Sequence, residues 1–225
     1  MVEKLETLFE DNDIMVVRKP QGMPCQPDKT GAADIASMLA ENNGGYIGPV
    51  HRLDRPVGGV MVFAKNSNAC AKLSKQVAEG GFRKAYLAVV EAASVAPVNA
   101  ELRDFLVKNE RLNMSSVADG AHIHGAKEAV LHYALAESCE DTDGMPLHLL
   151  KINLVTGRHH QIRVQLAHAG LPIWGDTKYG IKKRYRTPPN LALWAFNLSF
   201  CHPTNGRELN FESRPDDIFP FNRFL

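Results

Sequence analysis

Apolar positions in this chain gather into short runs broken by Gly and Pro, and only a few stretches keep a helical spacing. Asp13 to Arg18 is apolar and β-branched, and it stops at the turn chemistry of Lys19-Pro20-Gln21-Gly22, which predicts a strand. From Thr30 to Asn43, Ile35, Met38 and Leu39 recur as on one face of a helix, and Gly44-Gly45 would end it. Val50 to Asp54 alternates into a Pro56-Val57-Gly58-Gly59 break, and Val60 to Ala64 predicts the next strand. Ser67 can cap a helix with Ala69, Leu73 and Val77 inward, closed by Gly80-Gly81. Lys84 to Glu91 then has strong strand propensity in its second half.

Ser94 to Gly144 is polar and His-dotted without sustained periodicity, so no element is assigned there. Leu147 to Val155 predicts a strand, and His159 to Ala169 a helix with Ile162, Leu166 and Ala169 on one face. Lys178 to Arg186 is a basic loop, Leu191 to Phe200 a strand, and Glu208 to Glu212 a short last strand. Strands outnumber helices without a regular βαβ alternation. The expected class is α+β, a mixed and mostly antiparallel sheet flanked by helices, in one domain over residues 1–225.

Composition narrows the partners. At 225 residues with 44% apolar content the chain can bury a substantial core. It has no run long enough for a membrane helix, and its first residues are acidic where a signal peptide would be basic. The four cysteines are far apart without a CxxC pair, so a cytoplasmic protein is expected. A net charge of +1 speaks against a polyanion partner until it is divided. Lys151 to Arg186 holds eight Lys/Arg and a single acid, Asp176, whereas the rest carries 18 basic against 24 acidic residues. Such segregation can draw a polyanion to one face, and it is equally the signature of a solvated basic loop.

Two clusters carry candidate chemistry. His51-Arg52-Leu53-Asp54-Arg55 ends a predicted strand. A carboxylate between arginines ionises readily, which suits a nucleophile or base; the plain alternative is a surface ion-pair cluster. In Gly157-Arg158-His159-His160-Gln161-Ile162-Arg163, Arg163 falls beside the apolar seam of the predicted helix. It needs an anionic partner there unless its guanidinium snorkels to solvent. Neighbouring His159 and His160 diverge if helical, and His122 and His124 have no evident third ligand, so no metal site is expected. Neither a GxxxxGK[ST] nor a GxGxxG motif occurs, so a nucleotide cofactor loses support.

Taken together these segments resemble the RluA-type RNA pseudouridine synthases. His51-Arg52-Leu53-Asp54 followed by Gly58-Gly59 resembles their HRLD-x-x-[TS]-S-G signature, and Lys19-Pro20-x-Gly22 their KPxG element. Lys84-Ala85-Tyr86 is similar to the K-x-Y strand, and Gly157 to Arg163 to GRxHQ[LI]R. Pro172-Ile173-x-Gly175-Asp176-x-x-Tyr179-Gly180 is similar to PIxGDxxYG, and His202-Pro203 to a terminal HP. The motifs occur in the family's order over nearly the whole chain. Three positions depart: Val57-Gly58 stands for Thr-Ser, and Trp194 stands where histidine is common. The motifs begin close to the first residue, so a catalytic domain without an S4-like RNA-binding domain is expected.

The resemblance implies an isomerase that breaks the C1′–N1 bond of a uridine, turns the base and rejoins it through C5, without cofactor or metal. It makes Asp54 the essential carboxylate, acting by attack on sugar or uracil or by proton abstraction towards a glycal; both routes stay open. It pairs Arg163 with that carboxylate and stacks Tyr86 on the uracil, with Ile162 as an apolar wall and Arg52 filling the gap left by the flipped base. His51, Arg55, Arg158, His160 and Gln161 are the further substrate-binding candidates, with Lys182, Lys183 and Arg184 as the basic patch. The expected partner is a tRNA or rRNA loop, bound by a monomer. A glycosidase-like hydrolase would need a second placed carboxylate, which no motif supplies. An inactive RNA-binding module of the same fold is disfavoured by intact Asp54, Tyr86 and Arg163.

Overall fold

The computed structural model describes residues 5–141, 143–181 and 190–224. In chain order the elements are β1 (Glu6–Glu10), β2 (Ile14–Lys19), α1 (Ile35–Asn43), β3 (Gly48–Pro49), β4 (Gly58–Ala64), α2 (Ser67–Ala78) and β5 (Arg83–Glu91). There follow β6 (Asn99–Asn109), β7 (Met114–Ala118), β8 (Lys127–Glu140), β9 (Pro146–Leu154), α3 (Gln161–His168), β10 (Leu193–Cys201) and β11 (Glu208–Glu212). The expected 1–225 span divides into two compact units, Met1–Lys84 with Trp194–Pro215, and Ala85–Leu193 with Asp216–Leu225. Strands dominate, only the β4–β10 pairing is parallel among the registers described, and the α+β class holds.

In the first unit the strand order is β1-β2-β4-β10, with β11 on β10 and β3 on β4. Alternation on the strands sends Ile14, Val16, Val60, Val62, Leu198 and Phe200 to one face, where Ala69 and Leu73 of α2 pack. Asn66, not Ser67, caps α2, accepting from the Ala69 N–H at 2.8 Å; the amide reaches the first turn from one residue earlier. Similarly α1 starts at Ile35 rather than Thr30, because Asp34 accepts from the Ser37 N–H at 3.0 Å.

Val50 to Asp54 is not a strand. The sheet uses only Gly48–Pro49 there, and the chain then turns into an irregular segment held by side chains.

In the second unit the order is β5-β9-β8-β6-β7. Three strands occupy the stretch that showed no periodicity. Leu102 pairs Leu131 across β6 and β8, yet much of both strands is exposed, so no long apolar alternation arises. The β8–β9 pairing continues past a bulge between Leu135 and Glu137. Helix α3 is shorter than expected, Gln161–His168, and Leu106, Ala129 and Val164 form a small core with Val117 and Tyr179. Among the described residues no helix is long and apolar enough to cross a membrane.

Candidate active site

Asp54 heads a turn, residues 54–57, whose carbonyls are all accounted for. The Asp54 carbonyl accepts from Val57 N–H at 2.9 Å, and that of Arg55 from Gly22 N–H at 2.9 Å and Lys19 Nζ at 3.1 Å. Pro56 accepts from Gln21 Nε2 at 3.0 Å, and Val57 from Lys19 Nζ at 2.7 Å. A buried backbone acceptor without a partner costs free energy, so this accounting explains why an irregular segment holds one shape.

Lys19 is the centre of the arrangement. Its side chain is fully buried and its ammonium also donates to Pro20 O at 3.0 Å. Burial pushes its pKa down to about 8, while the nearby Asp54 carboxylate favours the charged form. Asp54 itself is half-buried, on a turn whose carbonyls are fixed by these bonds.

The neighbours of Asp54 divide by role. Leu53 is buried and exchanges hydrogen bonds with the Cys25 thiol underneath. His51, expected on substrate, is buried; its Nε2 accepts from the Val62 N–H at 3.2 Å and its ring meets Phe82 edge-on. Burial, then the charge of Lys84, holds His51 down at about 3, so it serves as neutral scaffold. Arg55 turns to Gly22 O at 2.8 Å and to Asp28 at 3.9 Å, and Arg52 is exposed.

In the second unit, Gly157 to His160 forms a loop ahead of α3, locked by the side chain of Gln161. Gln161 Oε1 accepts from Arg158 N–H at 2.9 Å and Thr156 Oγ1 at 2.8 Å, while Nε2 donates to Val130 O at 3.1 Å. Gln161 is therefore a loop brace rather than an outward-facing binder. Arg158 is exposed, with Nε on Glu128 O at 2.8 Å. His160 sits at φ 54, left-handed backbone that a non-glycine residue adopts at a cost of about 1–2 kcal/mol. That twist stacks the His159 and His160 rings at 3.8 Å instead of letting them diverge, because both precede the helix. His160 Nδ1 lies 2.7 Å from Tyr179 Oη, and burial followed by the Arg163 charge holds the ring neutral, down at about 2.

Arg163 is buried and ionic. Its Nε and Nη2 each donate to one oxygen of Asp176 at 2.7 Å, and its guanidinium carbon lies 5.2 Å from the Tyr179 ring centre. Asp176 Oδ1 also accepts from Lys178 and Tyr179 N–H at 2.8 and 3.0 Å. The fork therefore sits on a carboxylate that is itself tied to a turn. Snorkelling is ruled out, since the Arg163 side chain is 5% exposed. Ile162 is buried on the same helix, and Tyr86 is buried in β5 with Ala88 and Val90 on its side of the strand.

Each unit thus collects its own candidates: Asp54 with His51, Arg52 and Arg55 in the first, Tyr86, Arg158, His160, Gln161, Ile162 and Arg163 in the second. Lys182, Lys183 and Arg184 lie outside the described residues. Lys19, Asp176 and Tyr179 were not among the expected site residues, although each stands in a quoted motif and Asp176 is the only acid of its basic stretch. Among the described residues no three or more His, Cys, Asp or Glu side chains gather as metal ligands.

A family model described as RNA pseudouridylate synthase matches residues 13–168. The chain is 32% identical to the tRNA pseudouridine synthase C of Vibrio parahaemolyticus, covering 98% of this chain and 95% of that protein. It is 31% identical to the ribosomal large subunit pseudouridine synthase D of Zymomonas mobilis, over 95% of this chain and 70% of that one. Among solved structures, human RNA pseudouridylate synthase domain containing 1 superposes with a TM-score of 0.82 at 23% identity, over 98% of this chain and 86% of that one, a likeness of fold.

Proposed function

The chain belongs to the RNA pseudouridylate synthase family, and from that premise we propose that it isomerises a uridine in a loop of tRNA or rRNA to pseudouridine, with Asp54 as the reacting carboxylate. The observation that carries the assignment is the Asp54 turn: a half-buried carboxylate on a segment whose carbonyls are each bonded. Pre-set geometry of that kind is what makes a single side chain an effective reactant.

The reaction breaks C1′–N1, forms C1′–C5, releases the proton of C5 and leaves one on N1, so it balances with no cofactor. Both routes, attack by the carboxylate or abstraction of a sugar proton, need Asp54 ionised. Tyr86 offers an aromatic face for the uracil, Ile162 an apolar contact, and Arg163 a fixed positive charge. Arg52, Arg55 and Arg158 are exposed cations suited to phosphates, and Lys182, Lys183 and Arg184 extend that charge in the sequence. Loops are the favoured substrate because an unstacked base is cheapest to extrude. The named tRNA and ribosomal relatives support cellular RNA, hence the cytoplasm, as the setting.

The test is Asp54→Asn on RNA tritiated at C5 of uridine. Tritium release should fall by at least about 10²–10⁴-fold while RNA binding persists. Release at the wild-type rate would remove Asp54 from the chemistry.

A further inference from the structure

Gly58 and Trp194 face one another where β4 pairs with β10 in parallel. A Cβ built on Gly58 would stand 2.2 Å from Trp194 Cζ3 and 2.7 Å from Cε3, so no side chain fits at position 58 while the indole is in place. The indole is pinned. Its N–H donates to Ser213 O at 2.8 Å, the Arg18 guanidinium carbon lies 5.0 Å from its ring centre, and it is 1% exposed. The backbone of β4 is pinned as well. Gly59, at φ 121, is paired with Ala195, and a Cβ there would stand 2.2 Å from the Ala195 carbonyl oxygen.

The residue before Gly58 closes the Asp54 turn. Val57 donates its N–H to Asp54 O at 2.9 Å and gives its carbonyl to Lys19 Nζ at 2.7 Å. A displacement of Gly58 is therefore passed through one residue to the backbone of Asp54. Gly58 and Trp194 are also two of the three positions, with Val57, at which the chain departs from the motifs it resembles, glycine for serine and tryptophan for histidine.

We propose that Trp194 is a positioning residue for Asp54: its six-membered ring fills the volume a side chain at position 58 would need and supports the Asp54–Gly58 turn from below, so that Gly58 and Trp194 are one coupled substitution. The kinetic half of this rests on the reading of Asp54 as the reacting carboxylate; the coupling itself does not. An ångström of misplacement at a reacting group costs about 10²-fold in rate, so a turn pushed off the indole should lose turnover before it loses RNA binding.

The experiment compares wild type, Gly58→Ser, Trp194→His and the double variant, by thermal unfolding and by tritium release from C5-tritiated total RNA of cells lacking the gene. Gly58→Ser is expected to lower Tm by about 5 °C or more and kcat by about tenfold or more, with apparent KM within about twofold. Trp194→His removes the support and should also lower kcat at unchanged KM. The double variant should recover most of the Tm and kcat that Gly58→Ser loses, a non-additive rescue that independent sites do not show. Additive losses in the double variant would overturn the coupling, and wild-type kcat and KM in Trp194→His would overturn the positioning role. Should Gly58→Ser fail to fold, a folded double variant with kcat at or above that of Trp194→His supports the proposal and an unfolded one overturns it. If wild type releases no tritium, the catalytic reading fails, and the Tm cycle still decides the coupling.

Discussion

Asp176→Asn perturbs the candidate site at the point where charge is most deeply committed. The carboxylate accepts four hydrogen bonds, from Arg163 Nε and Nη2 and from the Lys178 and Tyr179 N–H groups, and its side chain is 1% exposed. Asparagine keeps one accepting oxygen and turns an NH2 towards one arm of the fork, so one of the two charge-assisted bonds is replaced by a donor facing a donor. Removing one partner of a buried ion pair costs about 3–5 kcal/mol. In a chain of this size that corresponds to a fall in Tm of about 6–20 °C. Urea unfolding followed by tryptophan fluorescence reads the loss directly, because Trp174 and Trp194 are both buried. Arg163→Lys should fall short of wild type for the complementary reason: one ammonium cannot engage both oxygens in the paired geometry. A stability loss under about 1 kcal/mol for Asp176→Asn would place the pair with exposed ion pairs and refute the reasoning.

Lys19→Met keeps the volume but removes the cation from the Arg55 and Val57 carbonyls; kcat should drop at least about tenfold with stability changed by about 1–3 kcal/mol, and unchanged kcat would show that the turn holds without it. Acid sensitivity follows from two buried neutral histidines, His51 at about 3 and His160 at about 2, against 6.5 unfolded. Below pH 6.5 the unfolded chain takes up protons that the folded one does not. The stability they contribute is thus complete above pH 6.5 and declines by about 1.4 kcal/mol per pH unit for each as pH falls. His160→Asn, compatible with left-handed backbone, should flatten the urea-midpoint profile between pH 7 and 5, and an unaltered slope would count against burial as the cause.

How much was legible in the sequence depended on whether a feature has a period. β2, β4, β5, β9 and β11 could be placed from short apolar runs because their side chains face a core on at least one side. β6 and β8 could not, since their exposed halves need only backbone pairing and any polar residue satisfies it. Val50 to Asp54 alternates as a strand would, yet it leads into a turn whose order at residues 55–57 comes from Lys19 and Gln21, more than 30 residues earlier in sequence. Side-chain-to-carbonyl ties of that range leave no local pattern. The demand of Arg163 for an anion was legible from burial alone, whereas the identity of its described partner, Asp176, needed the turn at 176–180 that returns a carboxylate to α3.

That pairing also changes what the charge pattern means. Eight cations and one acid lie between Lys151 and Arg186, and the acid is spent inside the protein on Arg163. Asp176 therefore offers no exposed carboxylate to repel a phosphate, and Arg163 is the buried cation that pairs with it. Arg158 remains exposed, and its Nε already donates to Glu128 O, so part of the entropy of ordering its side chain is lost before any ligand binds. Acids elsewhere bring the total to +1 without entering this stretch. Over a Debye length of about 8 Å at physiological salt, a bound RNA responds to the charges near it and hardly to distant ones. A near-neutral chain can consequently carry a locally basic stretch, and the burial of Asp176 leaves the exposed Lys151 and Arg158 with no exposed acid among the described residues of that stretch.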